Sequence, residues 1–293
     1  METNELLKKV RRIEIKTRGL SKHIFSGEYH SAFKGRGMSF SEVRTYHYGD
    51  DVRNIDWNVT ARTGEPHVKI FEEERELTVM LLVDVSRSTF FGTQQQFKQE
   101  MATEICAVLA FSAIQNNDKV GLLLFSDQTE LFILPRKGRQ HILRIIRELI
   151  SFTPKGQSTN IGHALRYFNN LVKKRSICFL ISDFLTDIPY AEALRVVGRK
   201  HDMIGVQLYD PIEVHLPVAG LLYARDAESG QTQWLDTQSE GVRRQWHQWF
   251  QQQRQQCQQI FRKASSDILS IRTNESYVRA LIQFFQKRVG HGA

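Results

Sequence analysis

The sequence predicts an α/β domain, a doubly wound and mostly parallel sheet covered by helices, with a small N-terminal helix-plus-extended subdomain ahead of it. Two patterns carry that expectation. From Leu77 onward, apolar runs of strand length alternate with longer stretches of helical periodicity, and strands in such alternation form a parallel sheet buried on both faces. Two of the runs, LTVMLLVD and SICFLISD, end in Asp84 and Asp183. Open α/β sheets bind ligands beyond the carboxyl ends of their strands.

In chain order, LTVMLLVD is a buried strand and Glu100 to Gln115 a helix with Ile105, Val108, Leu109 and Ser112 on one side. KVGLLLFS is a second buried strand, and ELFILP a third that Pro135 should end. Helices follow over Gly138 to Ser151 and Asn160 to Lys174, then the strand SICFLISD, a helix from Tyr190 to Arg199 and the strand DMIGVQLYD. LLYARD and TQWLDT flank the turn residues AESG, a hairpin signal. The Gln-rich run Gln245 to Gln259 reads as a helix, because Trp246, Trp249, Phe250, Cys257, Ile260 and Phe261 recur at helical offsets. The strand ILSIR and a helix from Tyr277 to Arg288 close the chain. Residues 1–75 read differently. A basic amphipathic helix, with Leu6, Leu7, Val10 and Ile13 on its apolar side, precedes two stretches that can be extended, MSFSEVRTYHY and HVKIFEEE. The expected division is therefore 1–75 and 76–293, with a hairpin insertion near 219–236.

Bulk properties exclude several classes. No stretch approaches the run of about 18 apolar residues that a spanning helix needs, and the charged N-terminus lacks the apolar core of a secretory signal. Cys106, Cys178 and Cys257 are odd in number and form no CxxC pair, so a reducing cytoplasm is the expected setting. The net charge is +8. It is split among clusters at Lys8–Arg12, Arg136–Arg139 and Lys173–Arg175 with acids between, which reads as solvated faces rather than a phosphate track, and no nucleic acid is expected as a partner.

Chemistry concentrates at the strand ends. In VDVSRS, an extended chain would point Asp84, Ser86 and Ser88 the same way by the two-residue period of a strand. Asp183 ends another buried strand, and GQSTNIGHAL puts Thr159 at a helix start between Gly156 and Gly162. D-x-S-x-S alone reads as a helix cap; three loops meeting at one end of one sheet is the more specific pattern. The set offers only oxygen, which suits a hard cation, Mg²⁺ or else Mn²⁺ or Ca²⁺.

Residues 77–209, and with the hairpin insertion onward to 289, resemble a von Willebrand factor A domain. DVSRS, STN and SDF match that family's metal-ion-dependent adhesion site, with Asp84, Ser86, Ser88, Thr159 and Asp183 in its five positions. The resemblance implies a mostly parallel sheet with an antiparallel edge strand, for which ELFILP is suited. It also implies a cation that takes an acidic side chain of a protein partner as its last ligand. A second resemblance lies in KGRGMSFSEVRTYHYGDDVRNIDWNVTARTGEPHVKIFEEERE, similar to the signature of the bacterial domain-of-unknown-function fifty-eight family, most distinctively from Tyr46 to Trp57. It implies a role as partner or adaptor of a MoxR-type AAA+ ATPase or of its client. Some relatives carry transmembrane helices ahead of this signature, which this chain is expected to lack. Within the signature, Asp50, Asp51, Arg53, Asp56 and Arg62 are a second site, a partner surface or, the reading preferred here, an ion-pair network anchored by Trp57 that fastens the arm. Glu72, Glu73 and Glu74 read as a solvated strand end.

Catalytic signatures are missing. There is no GxxxxGK followed by Ser or Thr, no HExxH, no GxSxG and no DxDxT. A non-catalytic, metal-dependent interaction module is the expectation. The alternatives are a basic nucleic-acid-binding protein and a metal-dependent phosphoesterase, the latter needing a general base that the sequence does not identify.

Overall fold

The computed structural model describes residues 8, 10–17, 38–73, 76–93, 96–228 and 230–290. The chain divides into two compact units, one of Met1–Ala32 with Thr78–Ala293, the other of Phe33–Leu77.

The larger unit is built on a six-stranded sheet. Its strands are β3 (Thr78–Asp84), β4 (Lys119–Phe125), β5 (Thr129–Arg136), β6 (Ile177–Ser182), β7 (Asp202–Tyr209) and β10 (Asp267–Arg272), in the order β10-β7-β6-β3-β4-β5. Every pairing is parallel except β4 with β5. From β3 the chain moves to one side through β4 and β5, then returns to the other side of β3 as β6 and continues outward. The sheet is thus doubly wound, and its order reverses between β3 and β6, where such sheets open a crevice. The apolar runs are explained by burial on both faces: all of Val79 to Val83 and Cys178 to Ile181 are at most 3% exposed.

By strand alternation, Met80 and Leu82 face one way and Val79, Leu81 and Val83 the other. Met80 and Leu82 join a core with Leu165 and Phe168 of the Ile161–Leu171 helix, Leu194 of the Ala191–Lys200 helix and Phe261 of the Glu240–Lys263 helix. Gly205 on β7 makes this close approach possible, since a Cβ there would lie 2.5 Å from the Phe261 ring. The Lys98–Gln115 helix packs against β3, β4, β7 and the Arg139–Ser151 helix. The sequence expects one apolar side for it. It is instead buried nearly all round, from Met101 through Ala113 apart from Glu104, as a helix sandwiched between layers must be. Pro135 does not end β5 but lies inside it, which an edge strand permits because one row of its backbone groups needs no ladder partner.

The basic N-terminal helix, residues 10–17, belongs with this unit and not with the segment that follows it. Lys16 donates to Glu104 (2.7 Å) and Arg139 to Glu14 (2.8 Å), while Val10 and Thr17 are buried. Leu6 and Leu7 lie outside the described residues. The expected division after residue 75 therefore differs from the compact units at the N-terminal side, because these ion pairs tie the helix to the Lys98–Gln115 and Arg139–Ser151 helices. Among the described residues, no helix is long and apolar enough to cross a membrane. All three cysteines are buried and free.

The smaller unit pairs β1 (Met38–Thr45) with β2 (His67–Glu73) antiparallel, with an irregularity between Phe40 and Glu42. A short helix, Trp57–Thr63, lies between them; its N-cap Asp56 accepts from the amides of Asn58 and Val59. Asp50 takes both guanidinium ends of Arg44 (2.7 and 2.8 Å), and Asp51 pairs with Arg53 (2.7 Å). The signature acids therefore make local pairs and caps. Trp57 is 70% exposed, so its ring is not an anchor buried within the smaller unit.

His201 supplies a test of this packing. It is 2% exposed beside the Phe168 ring (centroids 4.7 Å), and neither ring nitrogen has a hydrogen-bond partner among the described residues. Burial first, then the positive charges of Lys200 and Arg175, push its pKa from 6.5 down to about 4. The unfolded chain therefore takes up this proton first as pH falls. The stabilisation is complete above about pH 6.5 and lost on the way down to about 4. His201→Phe should remove that component, so as pH falls from 7 to 4 the wild type should lose up to about 3 kcal/mol relative to the variant and its melting temperature should fall more steeply. Parallel melting curves from pH 7 to 4 would contradict it.

Candidate metal centre

The five predicted residues come together at the switch point, though not by the geometry that the strand period suggests. Asp84 is the last residue of β3, and Ser86 is still extended (φ −60°, ψ 168°), but the chain then turns into a 3-10 helix, Arg87–Phe90. Ser88 arrives by that turn rather than along a strand, and its Oγ lies 3.1 Å from Ser86 Oγ in a hydrogen bond. The Ser86 amide donates to Asp84 Oδ1 (2.9 Å), closing the loop on the carboxylate. Asp84 Oδ2 accepts from Ser182 Oγ (2.6 Å) and Thr159 Oγ1 (3.3 Å), so the ends of β3 and β6 and the Thr159 loop meet on one carboxylate.

Further bonds fix the three loops to one another. The Arg87 amide donates to Gln157 O (3.3 Å), and Thr186 Oγ1 to Thr159 O (3.0 Å). Glu130 on β5 accepts from the amides of Lys155 (3.1 Å) and Gly156 (2.7 Å). A Cβ at Gly156 would overlap the Ser126 and Asp127 side chains, which is why glycine stands there. After β6, Phe184 adopts the left-handed region (φ 58°), rare for a side chain this large. Its amide donates to Ser182 Oγ (3.0 Å), and its ring packs on those of Phe261 and Tyr190.

Asp183 is buried, with Oδ1 accepting from the Leu185 amide (3.2 Å) and Oδ2 from Lys98 Nζ (2.8 Å). Lys98 also donates to Glu213 (2.7 Å), which caps the Pro211–Val214 turn, and sits over the Phe91 ring. Burial alone would lower the Lys98 pKa; Asp183 and Glu213 outweigh it and hold the ammonium charged. The acids experience the opposite. Burial first, then the Asp183 charge, raises Asp84 to about 6. Glu228, on the turn between β8 (Leu221–Arg225) and β9 (Thr232–Asp236), accepts from Thr159 Oγ1 (2.7 Å) and the Thr159 amide (3.3 Å). Burial, with Asp183 and Asp84, raises it to about 7.

The spacing of the sequence missed Ser182, Lys98, Glu213 and Glu228. Ser182 was legible as the lone hydroxyl next to Asp183 in an apolar run. The other three act across 69 to 115 residues, and no local pattern marks them.

These residues fit a divalent cation by donor chemistry and by charge. The donors around Asp84 are hydroxyl and carboxylate oxygens, the ligands of hard cations. The charge of Asp183 raises the pKa of Asp84, Glu213 and Glu228, so the site lacks positive charge that Lys98 alone does not supply. Among the described residues, no three His, Cys, Asp or Glu side chains gather as a metal cage. A cation here therefore depends on Ser86, Ser88 and Thr159 as well as on the acids.

A model for the family described as "Protein of unknown function DUF58" matches residues 42–256. The chain belongs to the DUF58 family. The match includes all five predicted site residues together with Lys98, Ser182, Glu213 and Glu228. Uncharacterized protein Rv1480 of Mycobacterium tuberculosis is 28% identical over 281 residues, spanning 95% of this chain and 88% of that protein. Uncharacterized protein MAV169 of Mycobacterium avium is 23% identical over 158 residues, 53% of this chain and 93% of that one. Among solved structures, an aerotolerance-related membrane protein of Bacteroides fragilis shares the fold, with a TM-score of 0.50 at 20% identity over 72% of this chain and 99% of that chain. The SpRpn10 VWA domain matches at TM-score 0.39 and 10% identity, over 74% of this chain and 98% of that one. The larger unit of this DUF58 protein has the doubly wound, mostly parallel sheet with one antiparallel edge strand that the von Willebrand factor A resemblance implies.

Removing Lys98 should expose the electrostatic cost of the site. Lys98→Met leaves Asp183 and Glu213 buried without their cation, which typically costs about 3–5 kcal/mol. The exposed control Lys174→Met should change stability by less than about 0.5 kcal/mol. Equal urea midpoints for the two variants would contradict the ion pairs described.

Proposed function

We propose that this DUF58 protein is a non-catalytic, cation-dependent protein-interaction module that serves as partner or adaptor of a MoxR-type AAA+ ATPase. The observation that carries the reading is the meeting of Ser86, Thr159 and Ser182 on the buried Asp84 carboxylate at the sheet's switch point, with Ser88 bonded to Ser86 and Asp183 nearby. Ser86, Ser88 and Thr159 would hold Mg²⁺ through neutral oxygens, while Asp84 and Asp183 supply the charge. When bound, the cation supplies an electrophilic position for an acidic side chain of the partner. Because the hydroxyls are neutral, they leave more of the cation's charge for that incoming carboxylate than an all-acid cage would.

The surroundings favour a protein as the ligand. Phe90, Phe91 and Phe97, at 45%, 38% and 50% exposure, flank the Ser88 turn and the start of the Lys98–Gln115 helix. Aromatic side chains beside a polar anchor are typical of protein interfaces. The choice of a MoxR-type ATPase rests on the family likeness of the Tyr46–Trp57 segment, and the cytoplasm, where such a partner finds ATP, is the setting proposed.

The decisive measurement is binding to the MoxR-type ATPase encoded nearest to this protein's gene, with Mg²⁺ and with EDTA. Asp84→Ala and Asp183→Ala, each checked by circular dichroism, should abolish the magnesium-dependent association. Equal binding in EDTA would overturn the reading. Affinity that falls steeply with salt and ignores chelator would point to nucleic acid. Turnover of p-nitrophenyl phosphate that disappears in Asp84→Ala would point to a hydrolase.

A further inference from the structure

Glu228 belongs to neither the strand ends nor the loops that build the site. Glu228 sits on the turn of the β8–β9 hairpin, and its two carboxylate oxygens take the hydroxyl and the amide of Thr159, 69 residues away in sequence. Thr159 is fully buried. The rest of the hairpin is held differently. Leu221, Tyr223 and Trp234 are 61%, 60% and 62% exposed, and the Tyr223 and Trp234 rings pack on each other (4.8 Å) rather than into the core. Its base is fastened by hydrogen bonds. Thr237 Oγ1 donates to Gly220 O (2.6 Å) and accepts from the Ala219 amide (3.0 Å), while Arg243 donates to Thr237 O (2.6 Å). The hairpin is therefore a strap, fixed at its base and joined at its tip to the candidate metal centre through one carboxylate. That carboxylate is also costly where it lies, since burial opposes its charge and Asp183 and Asp84 add to this. A cation would reverse the sign of that interaction.

We propose that Glu228 is the resident acidic ligand of the cation site: the chain supplies in cis the carboxylate that a partner supplies in trans, and the partner's acid must displace it. This rests on the cation reading given above and adds the identity of the group that competes with the partner. The β8–β9 hairpin then reports on the site, closed over Thr159 when Glu228 is engaged and released when another carboxylate takes its place. A glutamine in its place keeps the length and one of the two acceptor oxygens but loses the charge.

Isothermal titration of the full chain with Mg²⁺, and then of the magnesium-loaded protein with a fluorescein-labelled hexaglutamate peptide, tests this with effects of opposite sign. Glu228→Gln should bind Mg²⁺ about tenfold more weakly, as loss of a charged ligand does. The same variant, saturated with Mg²⁺, should bind the peptide more tightly than wild type, and Asp84→Ala should bind neither. Hydrogen exchange should show residues 221–236 protected by Mg²⁺ in wild type and unprotected in Glu228→Gln. Magnesium affinity and hairpin protection that are the same in wild type and Glu228→Gln overturn the proposal and leave the cation reading standing. Absence of magnesium binding in wild type overturns both.

Discussion

Two aspartates at the ends of neighbouring parallel strands set the terms for the rest of this structure. β3 and β6 pair with Val83 beside Ile181, which sets Asp84 level with Ser182 and Asp183 one residue further out, and both acids are buried. Parallel strands covered on both faces have no solvated side on which to place such groups. Their carboxyl ends are the one place where charge can collect, and there it meets repulsion and desolvation together. Lys98 is the fold's answer to half of this. It enters from the first turn of a helix whose middle, Ile105 to Ala113, is buried, and binds Asp183 and Glu213 at once. Asp84 is left to neutral donors, the hydroxyls of Ser182 and Thr159 and the amide of Ser86. The two acids thus have different roles: Asp183 is already neutralised by protein, and Asp84 is not.

The loops are rigid for the same reason. A carboxylate that relies on neutral donors is stabilised only while each donor stays in place. The left-handed Phe184, the glycine at 156 and the amides gathered by Glu130 all restrict loops that would otherwise be free. Such strain at a strand end costs on the order of 1–3 kcal/mol, and here aromatic packing around Phe184 offsets it.

What the sequence made legible follows from the range of the interactions. Buried strands appear as apolar runs and amphipathic helices as periodic ones, so the alternation of elements could be read from composition alone. Asp84 and Asp183 stood out because a charge at the end of an apolar run has no packing role. Lys98 did not, because a lysine in the first turn of a helix normally lies in water, and only the three-dimensional meeting with Asp183 and Glu213 buries it. Glu228 was hidden for a similar reason, since an acid in a turn rich in small and polar residues reads as solvated. The 3-10 turn that brings Ser88 to Ser86 also escaped, because strand periodicity was extended past the point where the strand stops. In the small unit the distinctive residues were legible as a signature but not by role. Its acids cap and pair locally, while Tyr48, Val52 and Trp57 point to solvent.

The balance of charge also explains why serines and a threonine stand where further acids would seem better suited to a cation. With Asp84, Asp183, Glu213 and Glu228 converging and Lys98 the cation bonded among them, another buried carboxylate would add desolvation cost and repulsion without a new source of positive charge. Hydroxyls add oxygen donors at no electrostatic cost, and they can bond one another, as Ser86 and Ser88 do. They also tie a carboxylate from elsewhere in the chain to the site without fixing it covalently or burying it in an apolar core. Thr159 shows this: its single hydroxyl proton has Glu228 at 2.7 Å as the nearer acceptor and Asp84 at 3.3 Å as the other. A hydroxyl that can serve either carboxylate makes the site adjustable, because the acid on the hairpin can leave without unfolding the acid on the strand.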